Sequence, residues 1–484
     1  MSDPLQASDT AEALRFIAAE GERYLAGVSA RRVRPENAEA AAAALDGRLP
    51  ERGDGTMRTL ADLVAASDGA LGSAGPRFFH WVTGGSTPAA TAADWFTSAL
   101  DQNAFAFDSS PLGTRLEMLS LDWLKELFGL PQAWAGVLTT GATMANFTAL
   151  AAARHWWAEG HGVDIDERGS AGLPAVPVLS SGYIHVSATK ALAMLGIGRG
   201  TVRRLARDDV GRLDLAALES ALRELRGAPA IVVGNAGEVN AGDFDPLEQM
   251  AELCERHNAW LHVDGAFGLF AAVSPRTAGL VRGVERAHSA IADGHKWLNV
   301  PYDCGFAFVR DERYLRPPFG FSAAYLPDPG RPSFGSLGPE ASRRARGIAV
   351  WATLRAYGRS GYREMIERHL ALAQRIAARV DAAPELERLA DVPLNIVCFR
   401  YRAPDVDGPA LDALNARIGA AILEDGRVYV GTTRYGGKTA FRPAISNWRT
   451  TEDDVDLLVD IILELGAREV AHPGAPSAGV SRRS

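Results

Sequence analysis

The stretch Trp260-Leu261-His262-Val263-Asp264-Gly265-Ala266-Phe267-Gly268 decides the fold. Its first half has the length and apolar content of a buried strand, and a carboxylate emerges at the C-terminal end. In open α/β sheets ligands bind beyond the carboxyl ends of the strands, so Asp264 stands where a ligand would be met. Burying an unpaired carboxylate is costly. Asp264 therefore either meets a cationic or hydrogen-bonding partner or simply caps the following turn. The small Gly265 and Ala266 leave room beside it for a flat group.

Outward from this stretch, short aliphatic runs alternate with segments of helical period between about residues 130 and 310, the pattern of a parallel α/β sheet. The spacing predicts strands over Gly136–Thr139, Val176–Leu179, Ala230–Val233, Trp260–Val263 and Phe306–Val309. Helices are predicted over Thr143–Trp157, Leu213–Arg226 and Pro246–His257. Leu326–Pro339 reads as a long loop, Ser342–Val380 as long helices, Leu394–Arg400 as a strand and Thr451–Leu465 as a terminal helix. The fold class is α/β: a mostly parallel central sheet in a large domain, a smaller α+β C-terminal domain and an N-terminal helical segment. The boundaries read as 1–80 for the N-terminal packing segment, 81–340 for the large domain and 341–470 for the small one. The Pro-, Gly- and Ser-rich residues 471–484 read as a disordered tail.

Composition narrows the function classes. The chain has 484 residues, 47% hydrophobic and 23% charged, an ordinary globular balance with ample sequence for a core. Lys and Arg number 51 against 59 for Asp and Glu, a net charge of −8 that argues against nucleic acid or an anionic membrane as partner. The three cysteines, Cys254, Cys304 and Cys398, lack CxxC spacing, which argues against a disulfide framework or a metal site. With a polar N-terminus and no run of apolar residues long enough to span a bilayer, the expected location is the cytoplasm.

Three further motifs carry chemistry. Thr139-Thr140-Gly141-Ala142-Thr143-Met144-Ala145-Asn146 follows a strand and opens a helix, so backbone N–H groups and the Thr143 hydroxyl can cradle a phosphate. Taken alone it is equally a capped helix start. Asp293-Gly294-His295-Lys296-Trp297 places one lysine among aromatic neighbours, where desolvation can make it a Schiff-base nucleophile. Most lysines are surface residues. His185, after a predicted strand, can stack on an aromatic ring or serve as a structural imidazole. Together, a phosphate cradle, a buried carboxylate, an imidazole and a lysine meet the needs of pyridoxal 5'-phosphate (PLP).

These motifs, with Asp264 and Lys296 separated by 32 residues, Phe244-Asp245-Pro246, and Ser342-Arg343-Arg344 leading to Trp351, resemble the group II PLP-dependent amino-acid decarboxylases from about Arg77 to Val455. This is the family of aromatic-L-amino-acid, glutamate and 2,4-diaminobutyrate decarboxylases. The resemblance implies the PLP-dependent transferase fold type I and a homodimer with active sites at the interface. It implies Lys296 as Schiff-base lysine, Asp264 as partner of the pyridine nitrogen, His185 as stacking residue and Ala266 on the opposite ring face. Ala142 and Thr143 are implied phosphate ligands, with His295 and Asn299 also at the cofactor. The implied activity is decarboxylation of an L-amino acid, through an external aldimine and a quinonoid, to the amine and carbon dioxide. Lys296, His185 and Asp264 are the catalytic set. Phe79, Trp81, Phe107, Tyr325 and Phe334 are expected at the substrate, with Phe78, His80 and Phe105 nearby, a lining suited to an aromatic or bulky side chain.

Two departures keep alternatives open. Counting back from Arg343, Phe334 falls where aromatic-amino-acid members carry a loop tyrosine thought to protonate Cα; in the family its loss accompanies oxidative decarboxylation-deamination to an aldehyde. Glu238 stands where many members have a threonine or asparagine near the cofactor, and it either brings negative charge there or points away. Arg442 is placed to meet a carboxylate or to pair at the surface. Beside the decarboxylase reading stand an aldehyde synthase, a transaminase and a catalytically silent PLP-binding protein.

Overall fold

The computed structural model describes residues 9–321 and 330–472. Tyr325 and the tail from 473 onward lie outside the described residues. Seven strands form the larger sheet: β1 Ala135–Thr139, β2 Val178–Ser180, β3 Val202–Arg204, β4 Ala230–Asn235, β5 Ala259–Asp264, β6 Ser289–Asp293 and β7 Gly305–Val309. Their order is β1-β7-β6-β5-β4-β2-β3. From β6 to β3 all neighbours run parallel, while β7 is antiparallel to both β1 and β6. The mostly parallel α/β architecture is thus the one expected from the sequence.

The physical reasons are visible strand by strand. Every residue of β4 and β5 is buried, as in strands covered on both faces. Helix Ala142–Glu159 packs across β5, β6 and β7, and its buried alanines, including Ala145, Ala149 and Ala152, let it approach closely. The register aligns Asn235 with Asp264 and Asp264 with Ile291, so the carboxyl ends of β4, β5 and β6 open onto one edge.

A second sheet, ordered β10-β11-β9-β8, is wholly antiparallel: β8 Leu386–Arg388, β9 Phe399–Tyr401, β10 Thr432–Tyr435 and β11 Lys438–Phe441. Helices Gly408–Asp425 and Glu452–Ala471 bury Leu411, Ile418, Leu458 and Ile462 in one cluster with Phe399 and Phe441. Of the expected strand Leu394–Arg400, only the last two residues belong to β9; Ile396 makes an isolated bridge to Ala444.

The long helix starts at Gly347, not Ser342, and Gly358 breaks it with φ 61°. The reason lies in Arg343, whose guanidinium is drawn inward instead of capping a helix. It donates to Glu117 Oε2 at 2.9 Å and Oε1 at 2.8 Å, to the Ala104 carbonyl at 2.9 Å and to the Leu138 carbonyl at 2.7 Å. Glu117 also accepts from Leu138 N at 3.0 Å. At the N-terminus, helix Thr10–Gly27 contains no buried residue. Among the described residues no helix is long and apolar enough to cross a membrane.

Candidate active site

The site lies along the carboxyl edge of β1, β5 and β6. β6 ends at Asp293, and the turn Gly294-His295 delivers Lys296, whose Nζ lies 3.1 Å from Asp293 Oδ2. Lys296 Nζ also lies 5.9 Å from the Phe267 ring centre. His295 stacks on Tyr302 at 4.2 Å and accepts from Cys304 N at Nδ1 over 3.2 Å. Burial is the main influence lowering its pKa. Segment 81–84 closes on this turn. Trp81 and Val82 take left-handed φ values of 55° and 60°, and Gly84 runs so close that a Cβ there would meet the Lys296 carbonyl oxygen at 1.7 Å.

Helix Ala142–Glu159 begins at the edge of the same cleft, and its N-cap, Gly141, supplies no side-chain cap. Its N-terminus is therefore a natural anion site, with half-buried Thr143 in the first turn. Two expectations need correction here. The Ala142 N–H is already taken by Asp293 Oδ1 at 2.6 Å, so it is not a free phosphate donor. Asn299 is fully buried, and its amide donates to the carbonyls of Lys296 (3.3 Å), Trp297 (2.9 Å) and Ser446 (2.9 Å), leaving none for a phosphate. Asn299 braces the lysine turn.

Asp264 closes β5 with its carboxylate buried. Oδ2 accepts from Asn146 Nδ2 at 2.9 Å and Oδ1 from Ala266 N at 3.3 Å. Ala266 is thus at the carboxylate, and its carbonyl accepts from Asp293 N at 2.8 Å. His185 is the N-cap of helix Val186–Met194, and its Nδ1 lies 2.7 Å from Ser187 Oγ. Burial lowers the His185 pKa, and the charges acting on it include Asp264, Lys296, Arg442 and Asp293. His185, Asp264 and Lys296 therefore share one neighbourhood. Sequence reasoning missed Asn146, Ser187, His262 and Ser289, which stand behind Asp264. The available signal was polar Asn146 within an alanine-rich helix, on a face that must be buried.

The substrate-side expectations divide. Phe79 is a core residue, 1% exposed and clustered with Val397, Phe399 and Ile445, so it is not a pocket wall. Phe78 stacks on Tyr429 at 5.0 Å, and Trp81, 58% exposed, tilts against His80 at 4.2 Å. Phe105 meets Phe321, and Phe107 lies under Arg331. Phe334 is buried beneath Arg343 and lines a cavity with Leu121, Ala135 and Gly136, at the end of β1 remote from Gly141. It packs as core and does not face Lys296. Glu238 turns into its own loop, accepting from Ala241 N at 2.8 Å and from the Asn240 amide. Burial raises its pKa, and Arg442 opposes that. Arg442 is itself buried, and its Nη1 has no hydrogen-bond partner among the described residues.

A carboxylate at a strand end, a lysine across from it, an imidazole, a helix N-terminus with Thr143 in its first turn and an alanine-sized floor at Ala266 fit PLP. On fold type I these define a PLP-dependent enzyme. The conserved domain of pyridoxal-dependent decarboxylases matches residues 44–402, and the chain belongs to that family, the group II amino-acid decarboxylases. It is 30% identical to an aromatic-L-amino-acid decarboxylase of Bacillus atrophaeus over 389 residues, covering 78% of this chain and 79% of the relative. It is 32% identical to an L-2,4-diaminobutyrate decarboxylase of Rhizobium meliloti (strain 1021) over 399 residues, covering 80% and 77%. The Oryza sativa TDC structure with PLP and tryptamine superposes with a TM-score of 0.88 at 26% identity, covering 97% of this chain and 99% of that one. The protein is a carboxy-lyase that uses PLP.

Proposed function

We propose that the chain decarboxylates an L-amino acid with an aromatic or bulky side chain and releases the amine. The observation that carries this reading is the aromatic group formed by Phe78, His80, Trp81 and Tyr429, joined to the lysine turn by Gly84. Such a wall receives a flat apolar group through dispersion and edge contacts. Residues 81–340 hold the cofactor, and 341–470 form the smaller unit.

Lys296 would anchor the cofactor, Asp264 would meet the ring nitrogen, His185 and Ala266 would flank the ring, and Thr143 with the remaining N–H groups of its helix turn would hold the phosphate. When bound, PLP supplies an electron sink for the charge left at Cα as carbon dioxide departs. Lys296 Nζ, oriented by Asp293 Oδ2, is placed to move a proton at Cα. His185 offers its outer ring nitrogen as a second proton donor. Phe334, turned into the core, lends no support to an oxidative course toward an aldehyde.

The assembly is a homodimer whose second chain completes the site. Helix Thr10–Gly27 buries none of its residues within one chain, and Val186 and Tyr302, beside His185 and His295, are 74% and 63% exposed. Incubation of the purified protein with an amino-acid panel, with amines, aldehydes and peroxide identified, tests the reading. Expected is stoichiometric aromatic amine without peroxide. A higher kcat/KM for glutamate or 2,4-diaminobutyrate, or an aldehyde product, would overturn it.

A further inference from the structure

Asn146 is fully buried on helix Ala142–Glu159, and its amide has three partners. Nδ2 donates to Asp264 Oδ2 at 2.9 Å and to Ser187 Oγ at 3.3 Å, while Oδ1 lies 2.8 Å from His262 Nε2. The directions of these bonds follow from the Asp264 end of the chain. An ionised Asp264 can only accept and so requires Nδ2 toward it. With Nδ2 turned to Asp264, Asn146 Oδ1 accepts from His262 Nε2, so the imidazole proton sits there and His262 Nδ1 accepts the Ser289 hydroxyl hydrogen at 2.9 Å. The far end agrees, because Trp260 Nε1 can only donate, and it does so to Ser289 Oγ at 2.9 Å.

The second branch is equally directional. Ser187 N donates to His185 Nδ1 at 3.2 Å, which makes that nitrogen an acceptor, so the Ser187 hydroxyl hydrogen also goes to it at 2.7 Å while Oγ accepts from Asn146. With Nδ1 occupied as an acceptor, His185 carries its proton on Nε2. We propose that Asn146 is a positioning residue that sets the protonation of two groups at once, holding Asp264 as a bare carboxylate and His185 as the Nε2–H tautomer. This rests on the reading that Asp264 and His185 face the cofactor. The other charged groups acting on His185 are Lys296, Arg442 and Asp293. Asp264 also acts on His262, whose pKa burial lowers to about 4, so that ring is neutral near pH 7.

The test compares PLP-loaded wild type, Asn146→Ala, Asn146→Asp, Ser187→Ala and Lys296→Ala. Asn146→Asp sets a second carboxyl against Asp264, and the pair must share a proton. The pH titration of the visible band of the lysine-bound cofactor is expected to move by about one unit or more in this variant. PLP binding should weaken about 10- to 100-fold in both Asn146 variants through loss of a bond to a charged group. The activity loss should fall on kcat, with KM little changed. Ser187→Ala should displace the pH profile of kcat while leaving the band titration in place. Folded Asn146 variants whose bands titrate as wild type would overturn the proposal. Should neither fold, an unchanged kcat profile in Ser187→Ala overturns it. Persistence of the band in Lys296→Ala would instead refute the site assignment itself, a distinguishable outcome.

Discussion

Replacing Arg343 by leucine is expected to remove more stability than any surface arginine could. Both partners of the Arg343–Glu117 pair are 1% exposed at the side chain. The guanidinium satisfies two carboxylate oxygens and the carbonyls of Ala104 and Leu138, so its loss strands a buried carboxylate and two acceptors. Breaking one side of a buried pair costs about 3–5 kcal/mol. Glu117→Leu should cost a similar amount. The double variant Glu117→Leu/Arg343→Leu should cost no more than either single change, because no lone charge remains and leucine fills part of the volume. Urea denaturation of the cofactor-free chains, at one fixed chain concentration, reads the midpoints. The singles should also weaken PLP binding, since Leu138 leads into Thr139-Thr140-Gly141. Single costs below about 1 kcal/mol, or a double-variant cost equal to the sum of the singles, would refute the reasoning.

Gly84→Ala is expected to displace the lysine turn, because its Cβ would collide with the Lys296 carbonyl; PLP binding followed by absorbance should fall while global unfolding changes less. Phe334→Tyr should leave the ratio of amine to aldehyde unchanged and destabilise the fold by about 1–3 kcal/mol, the cost of burying an unpaired hydroxyl; product analysis and a urea midpoint check both. Acid should destabilise the chain through His262 and His369, whose pKa values burial lowers to about 4 and about 3. The unfolded imidazoles bind protons from about pH 6.5, so this stability is intact above that pH and is lost as pH falls toward the folded values. Each fully buried imidazole should account for about 2 kcal/mol between pH 7 and pH 5. His369→Phe should show a correspondingly smaller midpoint difference between those pH values.

Much of the sheet was legible because parallel strands covered on both faces must be apolar throughout. Ile231-Val232-Val233 and Trp260-Leu261-His262-Val263 could scarcely be anything else. β6, Ser289-Ala290-Ile291-Ala292-Asp293, escaped detection because it holds a single branched aliphatic residue. Its burial comes from neighbouring β5 and β7 and the helix above, a tertiary effect. β3, at the sheet edge with two exposed arginines, gave no apolar signal. Arg343-Arg344 looked like a helix start, and a partner 226 residues away turns Arg343 inward. The convergence of Asp264, Lys296 and His185 was readable because each follows a strand toward the same edge. Phe79 and Phe334 were misplaced because an aromatic residue in a sequence says nothing about which side of a strand or loop it takes. Asn299 was misjudged for a related reason: an amide suited to a phosphate is equally suited to three carbonyls.

The bracing by Asn299 also matters to anyone who would recombine this chain with a relative. Its side chain joins the carbonyls of Lys296 and Trp297 to that of Ser446 and receives Trp448 N at 2.9 Å. His369 adds a parallel tie, accepting from Trp297 Nε1 at 2.8 Å and contacting the Asn447 carbonyl at 3.0 Å. Residues 294–300 and 446–448 therefore behave as one heritable cassette despite their distance along the chain. A chimaera with its crossover between them would import a mismatched keystone, whereas exchanging both segments together would preserve the seat of the lysine.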